Sequence, residues 1–184
     1  MIMVGGVDMH NLLETIMRIV NTVVEEEPLP LNIIEASHFW TYYIAVMDSI
    51  AFEEAGLNIS DDTELKQLLK ESESLCLKQA HHIEQIMREN GIKLPRVSEP
   101  KPFTDSKYIP EGVKLTGEEL SNGLAIKFAS MASFGATAAT MSIRADVRKM
   151  WMGFLVEVLT FDIKLKSTMR KREWLNMPPA YKPA

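Results

Sequence analysis

Two stretches carry side chains at a spacing that could hold a metal. Glu35 and His38 stand three residues apart in "EASHFW", and Gln79 and His82 repeat the spacing in "QAHH". A four-helix bundle that binds two iron or manganese ions needs one carboxylate from each of two helices and a Glu-x-x-His from each of the others, all pointing inward. At 100° per residue, Ile33, Ala36, Phe39, Trp40, Tyr43, Ile44, Met47, Ile50 and Ala51 share one broad face. This predicts that Trp40 fills the core and that His38 faces water. Glu35 falls at the flank, where Asn32-x-x-Glu35 has the form of a capping box, so it reads first as a cap and second as a ligand. Gln79 offers an amide where a metal would want a carboxylate.

The remaining helices supply little. The 117–141 pattern has no acid after Glu119, and the 143–174 pattern has Asp146, Glu157 and Asp162 but no histidine. A dinuclear oxidase is therefore not expected. No catalytic residue and no cofactor is predicted. Glu35, His38 and His82 remain as candidates for a single zinc or iron ion, the alternative reading. Cys76 lies on an apolar seam with no nearby cation in sequence and reads as a packing residue. Arg144 and Asp162 suit an ion pair or an interface contact. No Gly-rich phosphate loop and no nucleophile with a local base motif is present. A small-ligand pocket between the two apolar C-terminal helices is a third possibility.

The elements that must position these residues are helices. Asp8 can cap a first helix in which Leu12, Leu13, Ile16, Met17, Val20, Val23 and Val24 recur at helical spacing. Further helices are expected over about 33–55, closing at Gly56, over 63–90 with Gly91 as its stop, over 117–141 opened by Thr116-x-x-Glu119, and over 143–174. No strand is predicted. The joins are short except for "GIKLPRVSEPKPFTDSKYIPEGVKL", which is too long for a routine connection. Hairpin, long crossover, hairpin is the connectivity of ferritin-like bundles. The predicted organisation is an accessory helix over 1–27, a ferritin-like four-helix bundle over 28–174 with its crossover at 91–116, and a proline-rich tail over 175–184.

Composition narrows the classes. The chain has 184 residues, 46% hydrophobic and 24% charged, which suits one globular domain with a proper core. A formal charge of −5 argues against a nucleic-acid partner. One cysteine excludes an internal disulfide framework. Neither a signal peptide nor a membrane span is expected, so the cytoplasm is the predicted location. "LAIKFASMASFGATAATM" has a single charge, Lys127, and Ala125, Ala129, Ser133 and Thr137 repeat every four residues. One bundle core cannot cover this helix and its apolar successor on all sides, which predicts a homodimer through helices 117–141 and 143–174.

Several stretches resemble an uncharacterised ferritin-like domain-of-unknown-function family of spore-forming Gram-positive bacteria, labelled sigma-B operon or putative spore-coat proteins of the coat-protein-F type. They are "EASHFW", "MRENGIKLP", "IPEGVKLTGEELSNGLAIK", "SIRADVRKMW" and "WLNMPP", in order across residues 30–179. The resemblance implies an all-α ferritin-like bundle with an extra N-terminal helix and a link to sporulation or general stress. It carries no established catalytic residues. The expected role is non-enzymatic, structural or protein-interacting.

Overall fold

The computed structural model describes residues 3–4, 7–8 and 29–181. The accessory helix predicted over 1–27, with Asp8 as its cap, lies outside the described residues apart from two short strands. These are β1 (Met3–Val4) and β2 (Val7–Asp8), which pair antiparallel with Met3 opposite Asp8. At two residues each they leave the all-α reading in place.

Four helices form the rest: α1 (Ile33–Ile59), α2 (Thr63–Glu89), α3 (Gly117–Met141) and α4 (Ala145–Lys171). The predicted four-helix bundle is present. Each helix but the last opens on a side-chain cap. Asn32 and Glu35 form a full capping box on α1, Asp62 caps α2, and Thr116 with Glu119 forms the second box on α3. Gly91, at φ 67°, ends α2 in the left-handed conformation, with Ile92 N–H donating back to the Met87 carbonyl at 2.8 Å.

The packing fixes the topology. Helices α1 and α2 form one hairpin and α3 and α4 the other. Glu35 at the start of α1 meets Ile143 and Arg144 beyond the end of α3, so α1 and α3 run antiparallel. Lys164–Glu71 and Lys78–Glu157 place α2 antiparallel to α4. The intervening segment must therefore travel the length of the bundle, and it does so along α1. Ser98 N–H and Oγ–H donate to Asp48, Lys101 N–H to Glu54, Thr104 N–H to Asn58, and Ser106 Oγ–H to Asp61. Two 3-10 turns, Ser106–Tyr108 and Glu111–Val113, finish the crossover.

Two expectations about α1 are corrected. The helix does not stop at Gly56. That glycine is buried inside it, and a Cβ there would lie 3.0 Å from Leu69 and 3.3 Å from Leu120. Its purpose is the close approach of α2 and α3, not a turn. Nor does Trp40 fill the core: it is 43% exposed. The buried face is Glu35, Phe39, Tyr42, Tyr43, Val46, Ile50, Glu53 and Gly56, rotated by roughly 100° from the apolar face read in the sequence. A wheel that counts only apolar residues passes over two buried glutamates. Trp40→Ser is accordingly expected to cost under about 1 kcal/mol in urea unfolding, against about 3–5 kcal/mol for truncating a core tryptophan.

Candidate functional site

Polar groups enter the bundle at three levels. At the end where α1 begins, Glu35 is fully buried. Its Oε2 accepts from Asn32 N–H at 3.1 Å, and its Oε1 accepts from both Ile143 and Arg144 N–H at 2.9 Å. One carboxylate thus closes its own helix and binds the backbone N–H groups where the chain enters α4, on the positive side of that helix dipole. The cap reading holds, and the cap spans two helices.

The histidines are not gathered with it into a ligand set. His38 is half-buried rather than water-facing, with its ring edge-on to Phe134 at 5.6 Å. Burial lowers its pKa, opposed by the Glu35 charge. Its Nδ1 is buried without a hydrogen-bond partner. His82 is exposed and rests against Phe154, and His81 is exposed as well. Among the described residues no group of three or more His, Cys, Asp or Glu is placed to hold a metal ion.

The middle level is built around Gln79, which is fully buried. It accepts from the Tyr42 hydroxyl at 2.6 Å and donates to Glu157 at 3.0 Å and to the Phe154 carbonyl at 3.4 Å. Glu157 in turn pairs with Lys78. Burial pushes the Tyr42 phenol well up, so it acts as a donor and not as a base. Phe39, Tyr42, Phe134 and Phe154 surround Trp151, with ring centroids 5.1–5.8 Å apart. The amide at position 79 belongs to a closed network.

The third level was not anticipated. Glu53 on α1 is fully buried, and its Oε1 accepts from Ser72 Oγ–H at 2.5 Å and from the Lys127 ammonium. Its Oε2 is buried without a partner. Cys76 lies one turn beyond Ser72 and is fully buried, as expected of a packing residue; burial raises its thiol pKa, against the Lys127 charge. In sequence, Glu53 looks like half of a solvated Glu-Glu pair. The available signal was Lys127 itself, one charge in a long uncharged helix that needs a counter-ion if it turns inward. Arg144 and Asp162, by contrast, pair locally, with Asp146 and Lys166 at 2.7 Å each.

The outer side of α3 is unusual for a surface. With Lys127 turned inward, no charged side chain stands between Glu119 and Arg144 on this face. Ile126 is 71% exposed, and Ala129, Ser130, Ser133, Ala136 and Thr137 are exposed too. The hydroxyls of Ser130, Ser133, Thr137 and Thr140 all donate to carbonyls of their own helix at 2.8–2.9 Å. An open groove of about 600 Å³ runs over Ile126, Ala129, Ser130, Ser133, Phe134 and Thr137. It lies on α3 alone. Of the small residues in the second half of α3, Gly135, Ala138 and Ala139 are the buried ones.

Comparisons with known proteins agree with this architecture. The family described as "Protein of unknown function (DUF3231)" matches residues 18–184. The uncharacterised protein YvdQ of Bacillus subtilis is 26% identical over 152 residues, 83% of this chain and 89% of its own. The crystal structure of a putative spore coat protein of Bacillus halodurans superposes with a TM-score of 0.81 at 26% identity, covering 84% of this chain and 98% of that one.

Proposed function

The chain belongs to the DUF3231 family of unknown function, and from that premise we propose that it is a ferritin-like bundle with a structural or protein-interaction role in the cytoplasm, associated with the spore or with general stress. The observation that carries this reading is that the buried side chains Glu35, Gln79 and Glu53 are each bonded within the protein, Glu53 through one of its two oxygens. Glu35 is engaged by three backbone N–H groups, Gln79 by Tyr42 and Glu157, and Glu53 by Ser72 and a lysine ammonium. A metal at the first of these levels would have to displace those donors from Glu35, and the displaced N–H groups would be left unpaired. The spore association rests on the likeness to the putative spore coat protein of Bacillus halodurans. No helix among the described residues is long and apolar enough to cross a membrane, which is compatible with the location.

The competing reading is a mononuclear zinc or iron centre on Glu35, His38 and His82, favoured by the unpartnered Nδ1 of His38. Elemental analysis of protein purified without an affinity tag separates the two. The expected result is well below one zinc or iron per chain. One metal per chain, lost in the exposed-site variant His82→Ala, overturns the proposal.

A further inference from the structure

Asparagine precedes glycine at two places in the chain, Asn90-Gly91 and Asn122-Gly123. Such a pair can react with itself. The amide nitrogen of the glycine reaches back to the asparagine Cγ, and glycine has no Cβ to obstruct the approach. The asparagine must first leave helical backbone angles, because a helix holds that nitrogen in its hydrogen-bond ladder. The fold therefore decides which pair reacts.

Asn122 and Gly123 are held. They lie half-buried in the second turn of α3, and a Cβ at Gly123 would stand 2.5 Å from the Phe52 ring of α1. Asn90 and Gly91 are both exposed. Asn90 is the C-cap residue of α2, at φ −102° and ψ 12°, and a Cβ at Gly91 would meet no atom within 4 Å. Turning Asn90 breaks only the bonds of the closing turn. These run from Gly91 N–H to the Arg88 carbonyl at 3.2 Å, from Ile92 N–H to the Met87 carbonyl at 2.8 Å, and from Asn90 Nδ2–H to the Ile86 carbonyl at 2.8 Å. Helix ends open at far lower free energy than helix interiors.

We propose that Asn90 is a site of covalent self-modification, where the chain deamidates through a cyclic imide with Gly91, and that the fold protects Asn122. The Gly91 nitrogen gives up its proton and bonds to Asn90 Cγ; the Cγ–Nδ2 bond breaks, and the side-chain nitrogen leaves with that proton as ammonia. Water then opens the imide at one carbonyl to give aspartate, or at the other to give isoaspartate. Both products lose the donor to Ile86. Aspartate sets a negative charge beside Glu89 at the negative end of the α2 dipole. Isoaspartate adds one carbon to the main chain between residues 90 and 91, which takes Ile92 N–H out of register with Met87. Ile92 packs against the core where the crossover begins, so the modification loosens the link between the hairpins at its start.

The test ages the full chain in mildly alkaline buffer and follows tryptic peptides 89–93 and 115–127, each holding one asparagine, by mass spectrometry. Amide-to-acid conversion, with isoaspartate among the products, is expected at Asn90 about tenfold or more faster than at Asn122. In urea the two sites should convert at similar rates. Equal rates in the folded chain overturn the inference, as does faster conversion at Asn122. So does an Asn90 that stays intact while the urea-unfolded chain converts. A ratio in urea as large as in the folded chain would assign the difference to local sequence and overturn the protection by the fold. Asn90→Gln should leave the circular dichroism unchanged and remove the fast phase from the intact mass; a fast phase that persists overturns the assignment to Asn90.

Discussion

Replacing Lys127 by methionine is expected to lower the unfolding free energy by about 3–5 kcal/mol, because it strands a buried carboxylate. Glu53 has no exposed surface, one of its oxygens already lacks a partner, and Ser72 alone cannot neutralise it. The cost arises from the charge left behind, not from the strength of the pair. Removing both charges, as in Glu53→Leu with Lys127→Met, should therefore recover most of the loss. Urea unfolding of the two single variants and the double variant measures the coupling. A Lys127→Met cost below about 1 kcal/mol would show that water reaches Glu53 and that the site is not dry.

The second large effect concerns Glu35. Glu35→Ala should cost about 3 kcal/mol, the sum of a lost N-cap bond and two backbone N–H groups deprived of their acceptor. Glu35→Gln keeps one acceptor oxygen and should cost distinctly less. The two roles separate by amide hydrogen exchange: in the alanine variant the Ile143 and Arg144 amides should exchange faster even where α1 remains intact. If only Asn32 and the first turn of α1 respond, the clasp between α1 and α4 contributes nothing.

The contrast between α1 and α2 explains what the sequence revealed. On α2 the apolar residues fall on one side, and the helical spacing puts Leu65, Leu68, Leu69, Cys76, Ala80, Ile83, Ile86 and Met87 on one seam; all are buried but Ile86, which is half-buried. On α1 apolar residues occur all round, and Ile33, Ile34 and Trp40 lie off the core while Glu35 and Glu53 lie in it. No pattern of hydrophobicity could orient such a helix. Both capping boxes were legible because they are local, and the connectivity followed from the length of the crossover. The family resemblance was carried by ordered short stretches and is borne out. Glu53 was missed because its partners are 19 and 74 residues away in sequence. Long-range electrostatic partners leave no local spacing to detect.

The crossover along α1 also bears on how the chain reaches this state. Within each hairpin the contacts join residues close in sequence, so each can form at little loop-closure cost. The links between hairpins are remote: Glu35 meets Ile143 at a separation of 108 residues, and Lys127 meets Glu53 at 74. These are also the links made through charges inside the bundle. Bringing the two hairpins together is then the step with the largest loop-closure cost, and in the folded chain residues 98–106 hold the connection in place by donating to Asp48, Glu54, Asn58 and Asp61. The long connection thus adds its own side-chain and backbone contacts to the bundle as well as linking the hairpins.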